Sequence, residues 1–269
     1  MARSRTTNAS SRSVSNTSSR QRADVREGDA SVSLPFSLGS RVKPELRRFG
    51  NSESPVVVVD DFSGDAERIA RIAEALGSFP EVSSGYYPGL RRVITEADTY
   101  AWTYVHRACE GAAQFIAGAF DVDGFELIEG SFSMVTSKPA ELRPPQRAPH
   151  FDSTDQKYYA LLHYLRVPPD SGTSFFRQRS TGIERVTETN IDRFVRMAQS
   201  EAAQLRPDSG YINGSDAFFE QIGSIEAVPD RMIIYQGSLL HSGIIPPQMS
   251  FSADPKEGRL TANIFVRGH

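Results

Sequence analysis

Residues 150–176 read HFDSTDQKYYALLHYLRVPPDSGTSFF, and most of the fold can be worked out from this stretch. Tyr158 to Arg166 is rich in aromatic and branched residues, and Thr173 to Phe176 is a second, shorter run of the same kind. Pro168, Pro169, Asp170 and Gly172 punctuate the gap between them, the pattern of two strands joined by a tight connection. Strand alternation puts Ala160, Leu162 and Tyr164 on one face and turns His163 to the other. Just upstream, His150 and Asp152 are two positions apart, so on extended chain an imidazole and a carboxylate face the same side.

Moving outward, the period stays strand-like over Phe125–Ile128, Ser131–Val135, Met232–Tyr235 and Leu260–Val266. One helix interrupts this series, with Ile191, Val195, Ala198, Ala202 and Leu205 on one side. Upstream, Val56 to Val59 is an unbroken β-branched run, as expected of a strand buried on both faces. Ser63 is placed to cap a helix bearing Ile69, Ile72 and Leu76. Thr95 and Asp98 have the spacing of a capping box opening a longer helix. That helix carries the seam Trp102, Val105, Cys109, Ala112, Ile116 and Ala119, so Cys109 reads as core filler rather than a nucleophile. Many short strands behind packed helices predict an α+β fold, with a double-stranded β-helix (jelly roll) core and flanking helices.

Residues 1–50 are set apart as a tail, and 51–269 as the folded domain. Within the domain, helices span about 63–121 and the jelly-roll core about 125–269. From Met1 to Arg22 there are five Arg, seven Ser and no acid, a composition with too little to bury to offset the entropy of ordering. The whole chain of 269 residues has a formal net charge of -3 and 39% hydrophobic residues. That balance argues against wholesale binding to nucleic-acid phosphates. No run is long enough to span a bilayer, and the single cysteine allows no internal disulfide. The expectation is a cytoplasmic protein with no membrane and no nucleic-acid partner, acting on a small-molecule or peptide substrate. Its oligomeric state is left open.

A third ligand for a metal at His150 and Asp152 is available in His241, which follows the apolar run Met232–Tyr235 and a Gly-Ser turn. Two histidines and one carboxylate on one face leave open positions on an octahedral ion, the arrangement associated with oxygen-activating Fe(II). His150-Phe151-Asp152, then Leu161-Leu162-His163-Tyr164-Leu165, then Asp170 to Phe175, then Arg231 to Tyr235, His241, and Arg259 to Asn263 follow one another in order. In that order the chain resembles the Fe(II)/2-oxoglutarate-dependent oxygenases, in particular their prolyl-hydroxylase-like branch, over about Phe132 to Arg267. The resemblance implies Fe(II) at His150, Asp152 and His241 as catalytic metal ligands, with 2-oxoglutarate and O2 as co-substrates. It implies oxidation of a C–H bond, with release of succinate and CO2.

By the same resemblance, Arg259 takes the distal carboxylate of 2-oxoglutarate, for which a guanidinium fork is well matched. Tyr164 reaches the same group, and Thr261, alternating onto that face with Asn263, adds a hydroxyl. His163, turned the other way, is not a ligand. Asp152 favours hydroxylation over halogenation, since related halogenases carry a small residue there. The chain departs from the pattern in one respect: 18 positions separate His241 from Arg259, and the excess over the family spacing reads as a loop insertion at 246–258. Two other readings use the same residues. One is a cupin-like metal-dependent hydrolase or isomerase; the other is a non-catalytic jelly-roll binding protein. The loop Ser84 to Arg92, with two cations and two aromatics, is a candidate lid or a contact for an acidic or aromatic substrate; Gln146 and Arg147 are candidates for the pocket rim, and Arg177, Arg179 and Arg185 solvated charge.

Overall fold

The four valines of Val56–Val59 are each at most 3% exposed, and they point alternately into two different cores. That alternation gives the architecture, a sheet covered on one face by helices and on the other by a second sheet. At about 1.5–3 kcal/mol for each fully buried aliphatic side chain, such a strand is stable only at the centre of the molecule. The computed structural model describes residues 42–77, 79–81, 87–206 and 209–269.

The elements in order are β1 (Glu45–Phe49), β2 (Ser54–Val59), α1 (Ala66–Ala75), β3 (Gly89–Val93), α2 (Thr99–Phe120) and β4 (Phe125–Val135). They are followed by β5 (Tyr158–Arg166), β6 (Gly172–Gln178), α3 (Ile191–Ala202), β7 (Phe219–Glu226), β8 (Met232–Gln236), β9 (His241–Ile244) and β10 (Leu260–Gly268). The larger sheet has the order β1-β2-β8-β5-β10-β4-β3 and the smaller one β7-β6-β9, with every named pairing antiparallel. His150 bridges His241 and so extends the smaller sheet beyond β9. From β4 onward the chain passes repeatedly between the two sheets, which is the winding of a jelly roll, with the helices flanking it.

Helices α1 and α2 cover the outer face of the larger sheet. Ile69, Ala70 and Ala73 of α1, and Tyr104, Val105, Ala108, Ala112 and Ile116 of α2, share a core with Leu161, Ile234, Ala262 and Ile264. The inner face holds Val56, Val58, Ala160, Tyr164, Ile233 and Tyr235, packed against Phe175 and Ile225 of the smaller sheet. Cys109 is buried in the outer core, as its place on the seam implies. Among the described residues, no helix is long and apolar enough to cross a membrane.

Several local expectations are corrected. β1 falls inside the stretch 1–50 set apart as a tail; its Phe49 ring stacks on Phe175 at 5.4 Å, and this contact ties the strand to the core. Residues 1–41 of that stretch lie outside the described residues. Asp65, not Ser63, caps α1 by accepting from the Arg68 N–H, while Ser63 is drawn to Asp230 instead. The second long helix opens at Thr99 rather than Thr95, because the Asp98 carboxylate accepts from the Thr95 N–H and hydroxyl in a turn ahead of it. The two runs at 125–128 and 131–135 are one strand with a bulge at Ile128, where the register with β10 shifts. The helix expected to reach Leu205 ends at Ala202.

Candidate metal centre

Backbone geometry brings the first two ligands to the third. His150 and His241 exchange N–H···O bonds of 2.9 Å in each direction, and the Asp152 N–H donates to the Gly237 carbonyl at 2.7 Å. Gly237 has to be small. A Cβ there would lie 2.7 Å from Tyr158 Cδ1 and 3.2 Å from Asp152 Cβ, so a side chain would push the carboxylate away. Donor atoms of His150, Asp152 and His241 all lie within 4.8 Å of one another. Asp152 Oδ2 is 3.6 Å from His241 Nε2, Oδ1 is 3.9 Å from His150 Nε2, and the two imidazoles are 4.3 Å apart.

The protonation pattern suits a cation. His241 Nδ1 lies 2.7 Å from the Leu239 carbonyl, which can only accept; the ring therefore carries its proton there and presents a bare Nε2 to the cluster. Burial holds His241 down to about 4, against the pull of that backbone bond. His150 is likewise lowered to about 4, by removal from water and by His241, with Asp152 opposing. Its side chain is still 53% exposed on the open side. Burial raises Asp152 to about 6 despite His150 and Arg91. Its Oδ2 is buried with no hydrogen-bond partner. Two neutral imidazole nitrogens and an unpaired carboxylate oxygen form a donor set that a divalent cation fits.

The residues expected to hold a co-substrate also sit together. Arg259 is 6% exposed, its Nε has no partner, and its guanidinium lies 5.9 Å from the Tyr164 ring centroid. Thr261 is in register with Tyr164 on one side and Ser133 on the other, and is 2% exposed. The Tyr164 hydroxyl is 2.7 Å from Thr173 Oγ1, and burial raises it to about 12, keeping it a neutral phenol. The segment 246–258 packs Met249 and Phe251 into a small cluster with Val135, Leu142, Tyr211 and Ile245. Arg166 donates to the Pro255 carbonyl at 2.8 Å and the Gly258 N–H to the Asp254 carbonyl at 2.8 Å, and Arg259 still enters the interior.

His163 faces the helices. It is fully buried, with Nδ1 2.9 Å from the Tyr104 hydroxyl and Nε2 2.9 Å from Asp230 Oδ1. Of the candidate lid, 82–86 lie outside the described residues, and Gly89 to Arg92 belong to the edge strand β3. Gln146 donates to the Tyr87 carbonyl. Arg147 binds the Leu142 and Arg206 carbonyls and lines a cleft of about 420 Å³ that contains none of the three ligands. Arg177 is not loose charge but pairs with Glu184 and Glu220, while Arg179 and Arg185 bind the Asp216 carbonyl and the Gln236 side chain. Sequence reasoning missed Thr173 and Gly237, whereas Arg91 lay in the loop it offered as a lid or substrate contact. Of these, Thr173 was recoverable from the parity of its strand.

Fold and cluster together define a jelly-roll protein with a His–Asp–His group at the mouth of its interior. Residues 40–266 match DUF6445, a family of unknown function, and the chain belongs to that family. No curated protein sequence matches it. Its structure is similar to that of the non-heme alpha-ketoglutarate-dependent epimerase SnoN from nogalamycin biosynthesis, at 14% identity over 80% of this chain and 79% of that one (TM-score 0.47). It is similar to HygX from Streptomyces hygroscopicus with nickel and 2-oxoglutarate bound, at 11% identity over 80% and 83% (TM-score 0.48). It is also similar to the viral collagen prolyl hydroxylase of Paramecium Bursaria Chlorella virus-1 in its 2OG complex, at 11% identity over 80% and 96% (TM-score 0.44).

Proposed function

We propose that this protein is an Fe(II)- and 2-oxoglutarate-dependent dioxygenase that oxidises a C–H bond of a small-molecule or peptide substrate. The observation that carries this reading is the buried, unpartnered Asp152 Oδ2, 3.6 Å from a His241 Nε2 whose proton is held on the other nitrogen. Bound at His150, Asp152 and His241, Fe(II) would supply the redox chemistry, with 2-oxoglutarate as reductant and O2 as oxidant, yielding succinate and CO2.

The remaining work falls to the chain. Arg259 offers a buried cation with an unused donor, suited to a carboxylate, and that need separates this reading from a metal-only hydrolase. Thr261 Oγ1 and the neutral Tyr164 hydroxyl are hydrogen-bonding groups beside it. The apolar rings of Phe175 and Tyr235 exclude water around His241 and the inner core. On this reading the chain works in the reducing cytoplasm, where its single buried thiol stays reduced.

Purified protein given Fe(II), 2-oxoglutarate and O2 is expected to form succinate even without a substrate. Mn(II) with 2-oxoglutarate at one hundred times its dissociation constant is expected to stabilise the fold by about 2.7 kcal/mol. Absence of succinate together with an unchanged melting temperature at millimolar 2-oxoglutarate would sink the reading.

A further inference from the structure

The inner face of the larger sheet carries a charged pair that neither metal nor co-substrate binding uses. Arg91, on edge strand β3, reaches across to β4, where its Nε donates to Ser131 Oγ at 2.9 Å and its Nη2 forms an ion pair with Glu129. The remaining nitrogen, Nη1, makes no hydrogen bond among the described residues. The guanidinium lies 5.4 Å from the ring centroid of Phe265, which stacks on Tyr158 at 5.4 Å. Tyr158 and Asp152 both flank Gly237, 2.7 and 3.2 Å from where a Cβ on that residue would sit. The ion pair is therefore continued by an aromatic wall that ends at the glycine beside a metal ligand.

Both charges are accessible, with side chains 26% and 35% exposed. An ion pair this wet contributes little to stability and opens at small cost. A ligand bearing one charge would engage one partner and leave the other to water alone. A ligand bearing both signs leaves neither partner unpaired. We propose that Arg91 and Glu129 are the substrate-recognition pair of this site, and that the substrate is a free α-amino acid whose carboxylate meets Arg91 and whose ammonium meets Glu129. Its side chain then runs along Phe265 and Tyr158 toward the metal ligands. This assignment rests on the oxygenase reading for its chemistry but not for its binding.

The test uses wild-type protein and the common L-amino acids, each with its α-amide and N-acetyl form, followed by saturation-transfer NMR, which needs no metal. At least one amino acid is expected to bind at 10 mM or below, and each blocked form about tenfold more weakly, as the loss of one charge-assisted contact requires. Arg91→Gln is expected to erase the preference for acid over amide, and Glu129→Gln the preference for free over acetylated amine. With Mn(II) and 2-oxoglutarate present, paramagnetic broadening of the bound amino acid's side-chain protons places it beside the metal. Failure of every amino acid to bind, or equal binding of blocked and free forms, overturns the assignment. The thermal shift with Mn(II) and 2-oxoglutarate, read in parallel, shows separately whether the oxygenase reading has failed.

Discussion

Asp152 illustrates how one residue can be costly to the apoprotein and useful to the loaded one. Its carboxylate is raised to about 6 by burial, and Oδ2 has no partner, so the empty fold carries a penalty of about 1–3 kcal/mol for an unsatisfied buried group. Asp152→Ala is therefore expected to leave the metal-free melting temperature unchanged or higher, and to abolish the stabilisation by Mn(II). A loss of stability in the metal-free state would show that the carboxylate has a structural partner after all. The sequence showed the types of the three ligands and the parity that brings two of them together, because a two-residue spacing on extended chain has only one geometric outcome. It could not show that Gly237 is the residue that admits the Asp152 side chain, since that contact joins positions 85 apart in the chain and leaves no local pattern.

Among the elements, those with a clear pattern were legible and those set by tertiary contacts were not. Strands β2, β5, β8 and β10 are mostly buried on both faces and show as apolar, β-branched or aromatic runs. Strand β9 is four residues, too short to show a period, and β7 is only intermediate in burial along most of its length. Gly130, in the gap between the runs 125–128 and 131–135, lies within β4 at the crossing of α2, where a Cβ would approach Val105 Cγ2 to 2.7 Å. Gly130→Val is accordingly expected to cost about 1–3 kcal/mol by overpacking, measured by urea denaturation. Ile128→Thr, at the exposed bulge two residues away, should stay within about 0.5 kcal/mol of wild type. If the two variants proved equally stable, the close packing of α2 on β4 would be refuted.

For the whole molecule, the N-terminal layer is joined to the jelly roll through Asp230. This carboxylate accepts from the N–H groups of Ser63 and Gly64 at 3.0 and 2.7 Å, and from the Ser63 hydroxyl, and lies 2.9 Å from His163. Burial pushes its pKa up, but the bonds from His163 and Ser63 prevail and hold it below its ordinary value. A carboxyl lowered on folding stabilises the protein above its unfolded pKa of about 3.9, and the contribution is lost as pH falls through the folded value. Asp230→Asn, which tolerates the positive φ of 64° there, is expected to cost about 1.5–3 kcal/mol at pH 7. The gap from wild type should narrow below about pH 4, where both side chains are neutral. A gap independent of pH would show that the charge of Asp230 contributes nothing.

The bridge between His150 and His241 also bears on the order of assembly. These residues are 91 positions apart, and between them the chain must lay down β5 to β8 in both sheets before the two backbones can meet. Closing so long a loop brings its entropic cost early and its contacts late, so the metal-binding mouth belongs to the last part of the molecule to assemble. A nascent or half-folded chain offers only scattered imidazoles, with little hold on a redox-active ion. On the proposed oxygenase reading, competence to bind iron arrives together with the walls that confine its reactivity, and a misfolded copy does not become a source of uncontrolled oxidation.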